Sequence, residues 1–157
     1  MELIKITDKT FYIKNPTNIG VYKVDEESAI LIDSGNDKDA GKKILKILDA
    51  EGLKVKGIIS THSNADHIGG NKYLQLQTGC KIYAPDIERD FTRHPILEPA
   101  FLYGGYPHKD LRHKFLMAQE SGAELLSESV LPEGFQIIPL PGHFFDMVGF
   151  HSANCLL

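Results

Sequence analysis

Cysteine is scarce in this chain: Cys80 and Cys155 are the two among 157 residues, too few and too far apart for a disulfide framework. No Cys-x-x-Cys pair occurs, which argues against a thiolate zinc site. Cys80 is expected as a small buried hydrophobe. Long apolar runs are missing too; none approaches the ~20 residues of a membrane-spanning helix. The first ten residues, MELIKITDKT, lack the apolar stretch and small-residue cleavage site of a signal peptide, so the chain reads as cytoplasmic with no membrane partner. Charge of one sign is not in excess: 17 basic against 21 acidic residues give a net −4, which offers no basic surface to a nucleic acid. Repeats, low-complexity segments and internal linkers are also absent. What remains is an ordinary globular composition, 42% apolar and 24% charged, in a length that suits one domain with a sizeable core.

Short apolar, β-branched runs predict strands at residues 3–6, 11–13, 19–24 and 29–32, the last two separated by the charged hairpin Asp25-Glu26-Glu27-Ser28. Residues 38–51 carry Ile44, Leu45, Ile47 and Leu48 at helical spacing, and Gly52 is a stop signal. A buried strand is expected at 55–60. A helix is expected from Asp66, as its cap, through Leu76, ended by Gly79, and a strand at 81–84. The stretch from Pro85 to Ser129 reads as helix and loop, with a helix near 110–119. Strands are expected again at 135–138 and 148–151. Strands first, then strands alternating with helices, suggest α/β layers.

Chemistry concentrates in Ser60-Thr61-His62-Ser63-Asn64-Ala65-Asp66-His67-Ile68-Gly69-Gly70. His62, Asp66 and His67 lie just past the end of a predicted strand, where loops are anchored and sites are built. Neutral imidazole and carboxylate are good ligands for zinc, manganese or iron. Gly69-Gly70 allows a helix to pack closely against the sheet. Far downstream, Pro139-Leu140-Pro141-Gly142-His143 places another histidine at a strand-to-loop transition. Two such loops meeting would bring three or four ligands together.

THSNADHIGG resembles the T-H-x-H-x-D-H-x-G-G signature of the metallo-β-lactamase superfamily. LIDSG at 31–35 resembles that family's preceding loop, and PLPGH at 139–143 its next ligand loop. The resemblance implies an αββα sandwich with a site for two divalent metals at one edge of its sheets, usually zinc. It implies His62, the residue at 64 and His143 as ligands of the first ion. Asp66 and His67 would serve the second, and Asp33 would orient a ligand. Metal-bound hydroxide would attack an ester, thioester, amide or phosphoester of a small-molecule substrate, with Asp66 positioning the water or accepting its proton. The superfamily does not fix the reaction.

Two departures stand out. Residue 64 is Asn where the family has His; an amide oxygen is a poorer zinc ligand than imidazole, so the expectation is unequal occupancy or a preference for iron or manganese. After His143 there is no match to the bridging aspartate or the last histidine: Asp146 comes too soon, and His151 does not fit. The expectation is a single, incomplete domain over residues 1–157, weak in metal binding and in catalysis by itself. Its apolar Cys155-Leu156-Leu157 end and open sheet edges would favour self-association. His94, His108 and His113 match no ligand and are expected at the surface or in a substrate loop, as is the Tyr103–His108 segment. The rival expectation is a catalytically weakened relative that serves binding or scaffolding.

Overall fold

A computed structural model describes residues 1–152 and 155–156. The chain opens with four short strands, β1 (Leu3–Lys5), β2 (Thr10–Ile13), β3 (Ile19–Lys23) and β4 (Ser28–Ile32). These pair antiparallel in order. Helix α1 (Lys38–Ala50) follows, then β5 (Lys54–Ile59), α2 (Ala65–Ile68), α3 (Asn71–Thr78) and β6 (Lys81–Ala84). Helices α4 (Asp86–Arg93) and α5 (Leu97–Tyr103) precede β7 (Ala123–Leu125), β8 (Gln136–Pro139), β9 (Val148–Ser152) and β10 (Cys155–Leu156). The strands form a seven-stranded sheet in the order β1-β2-β3-β4-β5-β6-β7 and a three-stranded sheet in the order β10-β9-β8.

Period-two alternation sorts the strand side chains onto two faces. Ala29 and Leu31 of β4, Ile58 of β5 and Ile82 of β6 pack with Ile44 and Leu48 of α1 and Leu74 of α3. Ile32 and Ile59 point the other way, where they meet Phe135, Val148 and Phe150 beneath the second sheet. Each fully buried residue of this kind contributes about 1.5–3 kcal/mol. The result is helices on one face of the large sheet and the small sheet on the other, the α, β and β layers of an αββα sandwich. Cys80 is buried and free, as expected of a small hydrophobe.

β4, β5, β6 and β7 run parallel, so the loops leaving β4 and β5 emerge side by side at their carboxyl ends, where α/β sheets build their sites. Ile32 pairs with Ile59, and the Asp33 N–H then donates to the Ile59 carbonyl at 3.0 Å. The small sheet reaches the same edge: the loop between β8 and β9 closes with Leu140 N–H on the Met147 carbonyl at 2.8 Å, and Val148 N–H donates to the Thr61 carbonyl at 3.0 Å.

Three local expectations are corrected. The helix expected over 66–76 is two helices, α2 and α3, and its cap position is Asn64 rather than Asp66. The glycines between them press on the loop after β4 rather than on the sheet: a Cβ on Gly69 would lie 2.3 Å from the Asn36 carbonyl carbon, and one on Gly70 would lie 2.3 Å from the Ser34 oxygen. The helix expected near 110–119 is a single 3-10 turn at Lys109–Leu111, followed by irregular chain. The exposed apolar end expected at Cys155, Leu156 and Leu157 falls on side chains outside the described residues. Among the described residues, no helix is long and apolar enough to cross a membrane.

Candidate metal centre

Asp33 organises the site. It is 3% exposed and adopts φ 65°, a left-handed conformation that Asp tolerates better than most residues and that marks sites held by their surroundings. Its Oδ1 accepts the Thr61 N–H at 2.8 Å, and its Oδ2 accepts the Thr61 hydroxyl at 2.8 Å. The same Oδ2 lies 2.7 Å from Nδ1 of His67. A carboxylate only accepts, so Nδ1 of His67 carries a proton, and in the neutral ring the lone pair sits on Nε2.

The same reasoning reaches His62. Nδ1 of His62 lies 2.9 Å from the Thr61 hydroxyl. That hydroxyl has one proton and has given it to Asp33, so Nδ1 of His62 must be the donor. Its Nε2 therefore also carries a lone pair, and this atom is buried with no hydrogen-bond partner among the described residues. One carboxylate thus sets the tautomer of both rings, the arrangement by which carboxylates orient metal-binding imidazoles.

The rings cluster. His62 and His67 have centroids 4.0 Å apart, and His143 meets His62 edge-on at 5.1 Å. Burial, reinforced by the charge of His67, pushes His62 down to about 4, so it is neutral at pH 7. Burial also opposes charge on His67, but the hydrogen bond and charge of Asp33 outweigh it and raise its pKa. Asp66 stands at the open side, half exposed, with Oδ2 at 3.8 Å from Nε2 of His67 and accepting the Thr17 hydroxyl at 3.0 Å. Among the described residues, no three His, Cys, Asp or Glu side chains already stand as an ion-holding group. What is in place is orientation: two imidazoles whose neutral forms put the lone pair on Nε2, that of His62 being buried and unpartnered among the described residues. That donor set fits a divalent cation.

Asn64 is turned away from solvent. Its Nδ2 donates to Glu98 Oε1 at 2.9 Å, and Glu98 Oε2 accepts the Ala65 N–H at 2.8 Å. With Glu98 ionised, a flipped amide would set its oxygen against a carboxylate; Oδ1 lies on the opposite side, buried and unpartnered among the described residues. Burial pushes Glu98 up to about 7, against the pull of these two donors. A second buried carboxylate, Glu88, accepts the Ser63 N–H at 2.9 Å, the Ser63 hydroxyl, and the Asp146 N–H at 2.9 Å; burial raises its pKa as well.

The structure therefore brings His62, His67, Asp66 and His143 to one place, with Asp33 behind them and Asn64 beside them. His94, His108 and His113 lie elsewhere and are exposed, with His108 paired to Asp110 at 3.2 Å. Sequence reasoning missed the role of Thr61, and it missed Thr17, Glu88 and Glu98. Glu98 had a signal, a lone acid in the apolar stretch Pro95-Ile96-Leu97-Glu98-Pro99-Ala100-Phe101; Thr17 and Glu88 had none.

The family model described as the metallo-beta-lactamase superfamily matches residues 13–157. Among curated relatives, the hydroxyacylglutathione hydrolase of Albidiferax ferrireducens is 28% identical over 130 residues, 83% of this chain and 40% of that protein. That of Methylobacillus flagellatus is 36% identical over 69 residues, 43% of this chain and 26% of that protein. Among solved structures, the subclass B3 metallo-beta-lactamase BJP-1 of Bradyrhizobium japonicum superposes with TM-score 0.72 at 21% identity, covering 96% of this chain and 56% of that one. MEM-A1, a subclass B3 enzyme from a soil metagenome, gives TM-score 0.73 at 20% identity, covering 99% and 60%. These structural likenesses show the fold, and the chain spans less than two thirds of each of these proteins.

Proposed function

The chain belongs to the metallo-beta-lactamase superfamily, and from that premise we propose that it carries metal-binding side chains of a hydrolase, with His62, His67, Asp66 and His143 as ligands. One observation carries this reading. Nε2 of His62 is buried without a partner in a ring cluster whose tautomers are set by Asp33. An orphaned buried polar atom costs roughly 1–3 kcal/mol, and ligation removes that cost.

A divalent ion bound here would supply Lewis acidity and bring the pKa of a water to about 7. The chain's own residues do the rest. Asp33 and Thr61 hold both imidazoles in the ligating tautomer before any ion arrives. Asp66, at the open side and steadied by Thr17, is the acceptor for a proton from the attacking water. Phe144 packs edge-on against Phe91 at 4.9 Å and Phe101 at 5.9 Å, with its ring 6.3 Å from His62. This aromatic wall excludes water from one side of the site. The Asn64 amide oxygen weakens zinc relative to manganese or iron at its position.

The names of the curated relatives support a thioester as the first substrate class to test. Protein purified without chelator or affinity nickel should hold at least one divalent ion per chain by elemental analysis, and His62→Ala should lose it. The loaded protein should then hydrolyse an S-acylglutathione thioester at a low rate, in keeping with the missing matches to the family's bridging aspartate and last histidine. A chain that binds neither zinc, manganese nor iron at saturating concentration overturns the proposal. A second reading, a relative retained for binding or scaffolding, is favoured by the Asn64–Glu98 hydrogen bond, which commits the substituted position to a structural contact. Metal binding without hydrolysis, both in this chain and in Asn64→His, would select it.

A further inference from the structure

The two loops that carry His62 and His143 are joined twice, and the two joints differ in width. At the first, Val148 N–H donates directly to the Thr61 carbonyl at 3.0 Å. Two residues after Thr61 and two before Val148, at Ser63 and Asp146, the direct bond is replaced by a carboxylate. Glu88 sits between them: Oε2 accepts the Ser63 N–H at 2.9 Å and the Ser63 hydroxyl, and Oε1 accepts the Asp146 N–H at 2.9 Å. The contact is reciprocal, because the carboxylate of Asp146 accepts the Ile87 N–H at 2.9 Å. Glu88 is fully buried, and its own carbonyl takes the Thr92 hydroxyl at 2.9 Å, so α4 presents it as a fixed part.

From this we infer that Glu88 is a positioning residue, a spacer that holds the His62 loop and the His143 loop at the separation that lets their side chains share one ion. The inference rests on the proposed metal site. Two loops continuing as a hydrogen-bonded pair past Thr61 and Val148 would close directly on each other. The carboxylate, wider than a single hydrogen bond, splays them just where His62 turns inward. The length of the side chain matters as well as its charge. Aspartate is one methylene shorter and cannot reach both loops from the same helix, while glutamine keeps the length but, with one accepting oxygen, can serve the N–H of only one of the two loops.

Two measurements on the whole chain test this. The first needs no metal: amide hydrogen exchange in Glu88→Ala, Glu88→Asp and Glu88→Gln. Protection should fall together at Ser63 and Asp146 in the Ala and Asp variants and persist at Val148 and in the sheet. Loss throughout the chain, or at Ser63 alone, overturns the spacer role. The second is Co²⁺ titration followed by its visible absorption. Glu88→Ala should weaken Co²⁺ at least tenfold, Glu88→Gln should recover only part of it, because one joint is kept and one is lost, and in a His143→Ala background Glu88→Ala should cost under threefold. An equal cost in both backgrounds shows a merely structural residue and overturns the inference. If the unaltered chain binds no Co²⁺, the proposed metal site fails, and the exchange data alone decide whether Glu88 couples the loops.

Discussion

Nδ1 of His67 lies 2.7 Å from Oδ2 of Asp33, two side chains 34 residues apart in the chain. The same oxygen accepts the Thr61 hydroxyl, which in turn receives the proton of His62. Asp33→Asn is the informative change, because Asn tolerates the left-handed backbone at this position. Its amide keeps one accepting oxygen but cannot serve three donors on two atoms. The fold should persist while divalent metal affinity falls 10- to 100-fold, the range for groups that orient ligands. Co²⁺ titration against a competing chelator reads this directly. Unchanged affinity would reduce Asp33 to a turn residue.

Stability of the metal-free chain should depend on pH through two buried groups that act in opposite directions. His62 falls from 6.5 to about 4 through burial and the charge of His67. The unfolded chain takes up that proton first, so this contribution is complete above 6.5 and is lost as pH falls toward 4. Glu98 rises from 4.5 to about 7, through burial. There the folded chain holds the proton first, so its contribution is complete below 4.5 and is lost as pH rises through 7. Glu98→Gln removes only the second effect. The difference in Tm, variant minus parent, should therefore rise between pH 4.5 and 8 in the presence of chelator. A flat difference would mean that ionised Glu98 sits in the fold at no cost.

The β4–α1–β5 unit was legible because its apolar residues repeat at the periods of strand and helix, and those periods are local. The proposed ligand set was legible in the same way, as His62, Asp66 and His67 at fixed spacing after a strand. Thr61 was legible as the first residue of the signature, but its role was not: that role exists only because Ile32 pairs with Ile59, which sets Asp33 beside it. The break between α2 and α3 was hidden because apolar spacing runs through it. Residues 110–119 look helical by pattern, yet Lys114 is drawn to Asp37 at 2.8 Å, 77 residues away. β7 has three residues, too few for an alternation to show. The two buried glutamates are fixed by what they accept from other loops, and such contacts are not written in spacing.

The glycine pair offers a test of packing apart from chemistry. A Cβ on Gly69 would lie 2.3 Å from the Asn36 carbonyl carbon and 2.6 Å from Asp37 N, and one on Gly70 would lie 2.3 Å from the Ser34 oxygen. All three neighbours are backbone, which cannot swing aside as a side chain can. Gly69→Ala and Gly70→Ala should each cost about 3 kcal/mol or more in chemical denaturation, the upper range for overpacking. Gly105→Ala, with nothing within 4 Å of the added carbon, should stay within roughly 0.5 kcal/mol of the parent. Equal effects at all three would mean that the loop after β4 yields and does not fix α2.

Asn64→His tests what the substitution at the family's histidine position does. The amide now gives Nδ2 to Glu98 and leaves Oδ1 buried without a partner. An imidazole there could still donate one ring N–H to Glu98 while offering its other nitrogen as a lone-pair ligand, a stronger zinc donor than an amide oxygen. Zinc affinity should rise at least tenfold in competition titration, with manganese rising less. Thioester hydrolysis by the zinc-loaded variant should rise with it. Higher affinity without hydrolysis would select the binding or scaffolding reading. No change in either would mean that position 64 belongs to the Glu98 contact and to the fold, and that the ion is held by His62, His67, Asp66 and His143 alone.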